Sequence, residues 1–191
     1  MALYRSYGHD REQAMRFICE QASPLSVPLL EIGCGKGITA LELVRWVPSI
    51  ISLDVSEEEL SYARLNLLGF GTENKVRLVQ GDAAFLPFLD KSFFTVFMIN
   101  ALHHLPDPGP ILSEAARVLN TDGCFVLADF TMEGFRIINR IHGLEEKEHH
   151  RYAHTVGDVV GQLTSLGFVL ISQRQGHQEE VAVFLKTAHN P

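Results

Sequence analysis

Short apolar runs, separated by amphipathic segments and repeated along the chain, limit this sequence to a small set of folds. The runs are PLLEIG (28–33), IISLDV (50–55), KVRLVQGD (75–82), FTVFMIN (94–100) and CFVLADF (124–130). Between them lie ITALELVRW (38–46), EEELSYARLNLLG (57–69) and PILSEAARVL (110–119), with apolar residues at helical spacing. Ser56 and Glu59 form an S-x-x-E capping box before the second of these helices, and Gly69 marks its end. Strands alternating with helices predict a parallel α/β sheet covered on both faces. VGDVVGQLTSLG (156–167) predicts a last helix, followed by strands FVLISQ (168–173) and EVAVFLKT (180–187). Only RQGHQE separates these two strands, too little for a helical crossover, so they should pair antiparallel.

The 191 residues suit one domain with one sizeable core. Two segments fall outside the alternation. Residues 1 to about 24 have a helical pattern around DREQAMRFICEQ. Residues 131–155 are too long for a simple connection, and they follow the carboxyl end of a strand, where open α/β sheets bind ligands. We read 131–155 as a lid-like insertion whose Phe135, Ile137, Ile138, Ile141 and Leu144 give an apolar inner face. A formal net charge of −7 argues against non-specific binding to nucleic acid. No apolar run approaches the ~20 residues of a membrane span. The N-terminus lacks the apolar core of a signal peptide, so a cytoplasmic location is expected. Cys19, Cys34 and Cys124 are too few and too scattered for a disulfide framework or a zinc site, and are read as small packed side chains.

Gly33, Gly35 and Gly37 make a G-x-G-x-G turn between the first strand and its helix, where a backbone can approach a ligand closely. The dinucleotide fingerprint G-x-G-x-x-G would require a glycine at position 38, which is Ile38. Asp54 ends the second strand, 21 residues after Gly33, and can accept from ribose hydroxyls. Asp82, after the third strand, can accept from an adenine amino group, with the Ala83 N–H beside it and Phe85 and Leu86 as an apolar wall.

Together LEIGCGKG, LDVSEEEL, GDAAFLPF, NALHHLPDP and ARVLNTDGCFVLADF, in this order and spacing, resemble the class I S-adenosylmethionine-dependent methyltransferases. Within them the chain is most similar to the small-molecule and quinone-methylating group called methyltransferase type 11. The resemblance covers about residues 28–130. It implies a Rossmann-like, doubly wound sheet of seven strands in the order 3-2-1-4-5-7-6, with strand 7 antiparallel and helices on both faces. It implies one methyltransferase domain over 1–191 and S-adenosylmethionine as cofactor. By motif position, Glu31 lies beneath the methionine moiety, and Gly33, Cys34 and Gly35 let the backbone approach it. Asp54 binds the ribose, Val55 touches the adenine, Asp82 and Ala83 hold the adenine edge, and Asn100 faces the methionine end. The chain departs from its relatives at Phe93–Phe94, where SFD is usual after the serine, and at NTDG (120–123), in place of KPGG.

The resemblance implies in-line transfer of a methyl group to a small-molecule acceptor. His103 and His104 are candidate bases at the mouth of the site, the histidine pKa being suitable. Tyr4, Tyr7 and His9 could reach it from the N-terminal segment. His142, His149, His150 and His154 in the insertion suggest a metal site only weakly. His150 and His154 share a helical face but lack a third ligand, and ordinary side-chain pairs on an exposed charged helix, such as Glu146 with His150, account for the spacing. No metal is expected. Two other readings stay open: an NAD(P)-dependent oxidoreductase, and a non-catalytic cofactor-binding partner of another protein.

Overall fold

The computed structural model describes the backbone of residues 2–144 and 154–188 and side chains within 4–141 and 154–188. Seven strands form one sheet: β1 Leu29–Ile32, β2 Ile50–Asp54, β3 Val76–Gln80, β4 Phe93–Ile99, β5 Leu119–Phe130, β6 Phe168–Gly176 and β7 Glu179–Lys186. Their order is β3-β2-β1-β4-β5-β7-β6. The first five pair in parallel, while β7 runs antiparallel to both β5 and β6. The expected topology is therefore present.

The central strands are buried on both faces, and their side chains alternate between two cores. On one face Leu30, Val96, Met98, Phe125 and Leu127 pack against Leu112, Ala115 and Leu163. These last come from helices α5 (Gly109–Val118) and α7 (Val160–Ser165). On the other face Leu29, Phe97, Ile99 and Val126 meet Met15, Ile18, Leu43 and Leu67. Their helices are α2 (Arg11–Ala22), α3 (Ile38–Leu43) and α4 (Glu57–Gly69). The N-terminal segment thus closes one core. Asp10 caps α2 by accepting from the Glu12 and Gln13 N–H groups, and short helix α1 (Ala2–Ser6) precedes it.

Several elements differ in extent from the sequence reading. The α3 helix stops at Leu43 rather than running to Trp46. The last helix opens as a 3₁₀ turn at Gly157–Val159. The final hairpin is tighter than RQGHQE suggested, because only His177 and Gln178 lie between β6 and β7. Both have positive φ (52° and 65°), as a two-residue hairpin turn with the right twist requires. At the NTDG stretch the β4–β5 register shifts, with Phe93 opposite Leu119 and Thr95 opposite Cys124. Phe93 is buried in edge-to-face contact with Phe88.

The 131–155 segment begins as helix α6 (Met132–Leu144). Phe135, Ile138 and Ile141 are buried and Ile137 is half-buried, which matches the expected apolar face. Leu144, by its side chain, lies outside the described residues. Phe135 packs on Phe130 at the end of β5, holding α6 across the carboxyl edge of the sheet.

Candidate functional site

Parallel strands β1, β2 and β4 all end at one edge, and the glycine turn leaves β1 there. Gly33, Gly35 and Gly37 have φ of 83°, 50° and 75°, in the left-handed region. The Gly33 and Cys34 N–H groups both donate to the Leu53 carbonyl, at 2.9 and 3.0 Å. A Cβ on Gly33 would lie 3.0 Å from Ala101 Cβ, whereas one on Gly35 would meet nothing within 4 Å. The turn is therefore packed on its inner side and bare on the side facing the cavity described below.

Asp54 holds this turn. Its Oδ2 accepts from the Gly35 N–H at 2.7 Å, and its Oδ1 accepts from the Ser56 N–H at 3.0 Å. The capping box is accordingly only half made. Ser56 Oγ accepts from the Glu59 N–H, but the Ser56 N–H goes to Asp54, and Glu59 lines the cavity instead. Each Asp54 oxygen keeps a further acceptor site for a ligand.

Glu31 lies beneath the turn and not in the cavity wall. It is fully buried, accepts from Ser52 Oγ at 2.5 Å, and its Oε1 has no hydrogen-bond partner. Burial pushes its carboxyl up to about 8, against the Ser52 hydrogen bond, so it is neutral at neutral pH. Burial, with Glu31 and Asp54 nearby, drives the Cys34 thiol well above its ordinary range. It presents its backbone, not a nucleophile. Cys19 and Cys124 are likewise pushed up, to about 12 and about 11.

Val55, Asp82 and Ala83 line the far end of the cavity, with Val55 68% exposed. Asp82 Oδ1 accepts from the Ala84 N–H at 2.9 Å, shaping the short turn that presents Ala83. The expected apolar wall differs. Leu86 is drawn into the main core and Phe85 is 80% exposed, because the 3₁₀ turn at Ala83–Phe85 directs Phe85 outward. Ile111, Leu105 and Val55 supply apolar surface in their place.

On the other side of the cavity the groups come from distant parts of the chain. Asn100, immediately after β4, has φ of 52°, and its Nδ2 donates to Glu179 Oε1 at 3.2 Å. Glu179 opens β7 opposite Phe130 and is 1% exposed. Burial pushes its carboxyl up to about 8; the Asn100 hydrogen bond opposes this, and nearby Asp129 adds to it. His9, also buried, places Nε2 3.9 Å from Glu179 Oε1. Desolvation lowers the His9 pKa, against its contact with Gln178. Tyr4 and His9 line the cavity, whereas Tyr7 is found with its ring near Arg140.

His103 is buried and tied to Asp129 twice. Its ring Nδ1 lies 2.7 Å from Oδ1, and its backbone N–H donates to Oδ2 at 2.9 Å. Its ring stacks against His104 with centroids 4.0 Å apart and meets Phe135 edge-on. His104 is exposed at the mouth, and both rings line the cavity. Sequence reasoning missed Asp129 and Glu179. Asp129 had a signal, being an acid inside the apolar run CFVLADF. Glu179 had none, since two glutamates before a strand read as solvated charge. His149 and His150 lie outside the described residues. His154 Nε2 is 3.2 Å from the Pro106 carbonyl, and no cluster of three metal-ligating side chains occurs among the described residues.

All the anticipated ligand residues except Glu31 therefore border one cavity of about 840 Å³ along the carboxyl edge of the sheet. This is the position and size expected of a small-molecule site in an open α/β fold. Among the described residues no helix is long and apolar enough to cross a membrane.

Comparison with known proteins identifies the family. The sequence pattern of the family described as "Methyltransferase domain" matches residues 30–127. YcgJ of Bacillus subtilis, an uncharacterized methyltransferase, is 36% identical over 129 residues, 64% of this chain and 50% of that protein. A demethylmenaquinone methyltransferase of Desulfitobacterium hafniense is 33% identical over 137 residues, 69% of this chain and 54% of that protein. The chain thus spans about half the length of these curated relatives. The crystal structure of YcgJ superposes with a TM-score of 0.73 at 21% identity, covering 93% of this chain and 100% of that one. The superposition is longer than the sequence alignment and takes in residues that have diverged while the fold has not. The PH0226 protein of Pyrococcus horikoshii gives 0.78 at 19% identity, covering 96% and 92%. The chain belongs to the methyltransferase domain family and has the Rossmann-like fold of the class I S-adenosylmethionine-dependent methyltransferases.

Proposed function

We propose that this chain transfers a methyl group from S-adenosylmethionine to a small-molecule acceptor by in-line displacement. One observation carries the reading: the bare glycine turn, clamped by Asp54, faces a cavity that continues past Asn100 to His103. When bound, the cofactor supplies an electrophilic methyl on a sulfonium. Gly33, Cys34 and Gly35 offer backbone to its amino-acid half, above neutral Glu31. Asp54 accepts from the ribose, Val55 packs on the adenine, and Asp82 with the Ala83 N–H reads its edge. Asn100 Nδ2 donates to Glu179, and the Asn100 backbone carbonyl is offered to the methionine end.

The remaining half of the cavity positions the acceptor and excludes water, an effect that can supply about 7–11 kcal/mol of the barrier. For a hydroxyl acceptor, His103 takes the proton. Asp129 Oδ1 accepts a hydrogen bond from Nδ1–H, which leaves Nε2 as the basic nitrogen. His104 lies at the mouth and shields that ring. Helix α6, through Ile138, acts as a lid over the acceptor. Relatives named demethylmenaquinone methyltransferase, sterol 24-C-methyltransferase and 27-O-demethylrifamycin SV methyltransferase support a small-molecule acceptor.

The test is calorimetric titration with S-adenosylhomocysteine and, separately, NADH. Tight binding of the first and none of the second is expected. Binding of NADH alone would overturn the reading in favour of an oxidoreductase. Turnover of labelled S-adenosylmethionine against a metabolite pool is also expected, and its absence would indicate a non-catalytic partner protein.

A further inference from the structure

The acceptor half of the cavity contains two buried oxygens with no hydrogen-bond partner, Asn100 Oδ1 and Glu179 Oε2. They belong to side chains already bonded to one another through Asn100 Nδ2 and Glu179 Oε1 at 3.2 Å. Both residues line the cavity, and Glu179 is 1% exposed. An unpaired buried polar atom costs about 1–3 kcal/mol, so the two, carried on side chains bonded to each other in the cavity wall, favour a ligand group that can bond to them. Met15, Phe130 and Ile138 give apolar surface to the same cavity, alongside the polar His9, Arg11 and Tyr4.

Resting on the methyltransferase reading above, we infer that Glu179 and Asn100 form a recognition site for a hydroxyl group on an apolar methyl acceptor. A hydroxyl is both donor and acceptor, and these two atoms ask for both roles. Asn100 Oδ1 can only accept. Burial and the nearby Asp129 carboxylate push the Glu179 carboxyl up to about 8, so a proton held there can be given from Oε2. The other titratable groups facing it are Arg11 from α2 and His9 before it, whose pKa desolvation lowers. A carbonyl would leave Asn100 Oδ1 unpaired, and an ammonium would force charge onto a buried carboxyl. The location agrees. Glu179 lies beyond β4 and β5 from the glycine turn, over the half of the sheet that the cofactor motifs leave vacant.

The experiment uses the full chain at pH 7, with 1-naphthol and its methyl ether 1-methoxynaphthalene as probes, titrated with and without saturating S-adenosylhomocysteine. The wild type should bind naphthol about tenfold or more tightly than the ether, since a site built for a hydroxyl rejects the analogue that cannot donate. Glu179→Met, which keeps an unbranched side chain of similar length without the carboxyl, should bring the two probes within about twofold while S-adenosylhomocysteine affinity stays unchanged. Glu179→Gln, which keeps hydrogen-bonding capacity, should retain part of the preference, and thermal melts of both variants establish that they fold. Equal binding of the probes by the wild type, or an intact preference in Glu179→Met, would overturn the assignment. So would parallel loss of S-adenosylhomocysteine binding, which would put Glu179 in the cofactor half. Failure of the wild type to bind S-adenosylhomocysteine while the naphthol preference holds would sink the methyltransferase reading and leave the hydroxyl site standing.

Discussion

On the glycine-turn side of the cavity the defining hydrogen bond, Gly35 N–H to Asp54, joins residues 19 apart. On the β5–β7 side the corresponding bond, Asn100 to Glu179, joins residues 79 apart, and His103 reaches Asp129 across 26. The first side presents backbone shaped by glycine. The second presents buried side chains from the N-terminal segment, β4, β5 and β7. Glu31 and Glu179 sharpen the contrast, since each is a buried acid pushed up to about 8. Glu31 supports the turn from below, outside the cavity wall, while Glu179 forms part of the wall itself. A cofactor common to a family can be held by a short, repeatable motif. An acceptor particular to one chain is met by residues that only the completed sheet assembles.

Substitutions can break this division. The largest effect is expected from His103→Gln, which should lower kcat on a hydroxyl acceptor by about 10²–10⁴-fold while S-adenosylhomocysteine affinity holds. Steady-state kinetics beside calorimetry measures both, and an equal fall in cofactor affinity would erase the boundary between the two sides. Asp54→Ala should act in the opposite sense. It removes the acceptor of two backbone N–H groups together with the proposed ribose contact, and should weaken S-adenosylhomocysteine about 100-fold by titration.

A smaller effect concerns pH. Glu31 and Glu179 each hold a proton in the folded chain from about 4.5 up to about 8, where the unfolded chain has released it. Their contribution to stability is full below 4.5 and is lost as pH rises through 8. His9, with its pKa lowered from 6.5, opposes this at the acid end, where stability falls as pH drops below its unfolded value. Urea midpoints at pH 5, 7 and 8.5 should decline toward alkaline pH, and Glu31→Gln and Glu179→Gln should each flatten the decline. An unchanged slope in either variant would show that its acid is not the source. The smallest effect is expected in the hairpin. His177→Asn puts a residue that tolerates positive φ at the first turn position, and should raise stability by about 0.5 kcal/mol in denaturant melts.

The legible parts of the molecule were those governed by local chemistry. Alternation of runs and helices marked all seven strands, and the six residues before EVAVFLKT required the antiparallel hairpin. The glycine turn, Asp54 and Asp82 could be located because turns and strand ends occur at fixed offsets. Phe85 and Leu86 could not be assigned a side, since a three-residue 3₁₀ turn decides which one faces the core. The tight turn at His177–Gln178 was hidden because neither residue is glycine or asparagine.

By itself the sequence determined the sheet order, through strand–helix alternation and its resemblance to a known family, and the cofactor edge, through backbone geometry that glycine makes accessible. Only the tertiary structure decided that Asp129 would hold His103, that His9 and Asn100 would meet Glu179, and that Glu179 would be buried. The physical reason is that burial and desolvation are collective. A glutamate beside a strand is a solvated charge until β5, β7 and the N-terminal helices close around it, and then it becomes a neutral hydrogen-bonding group in the wall of a site.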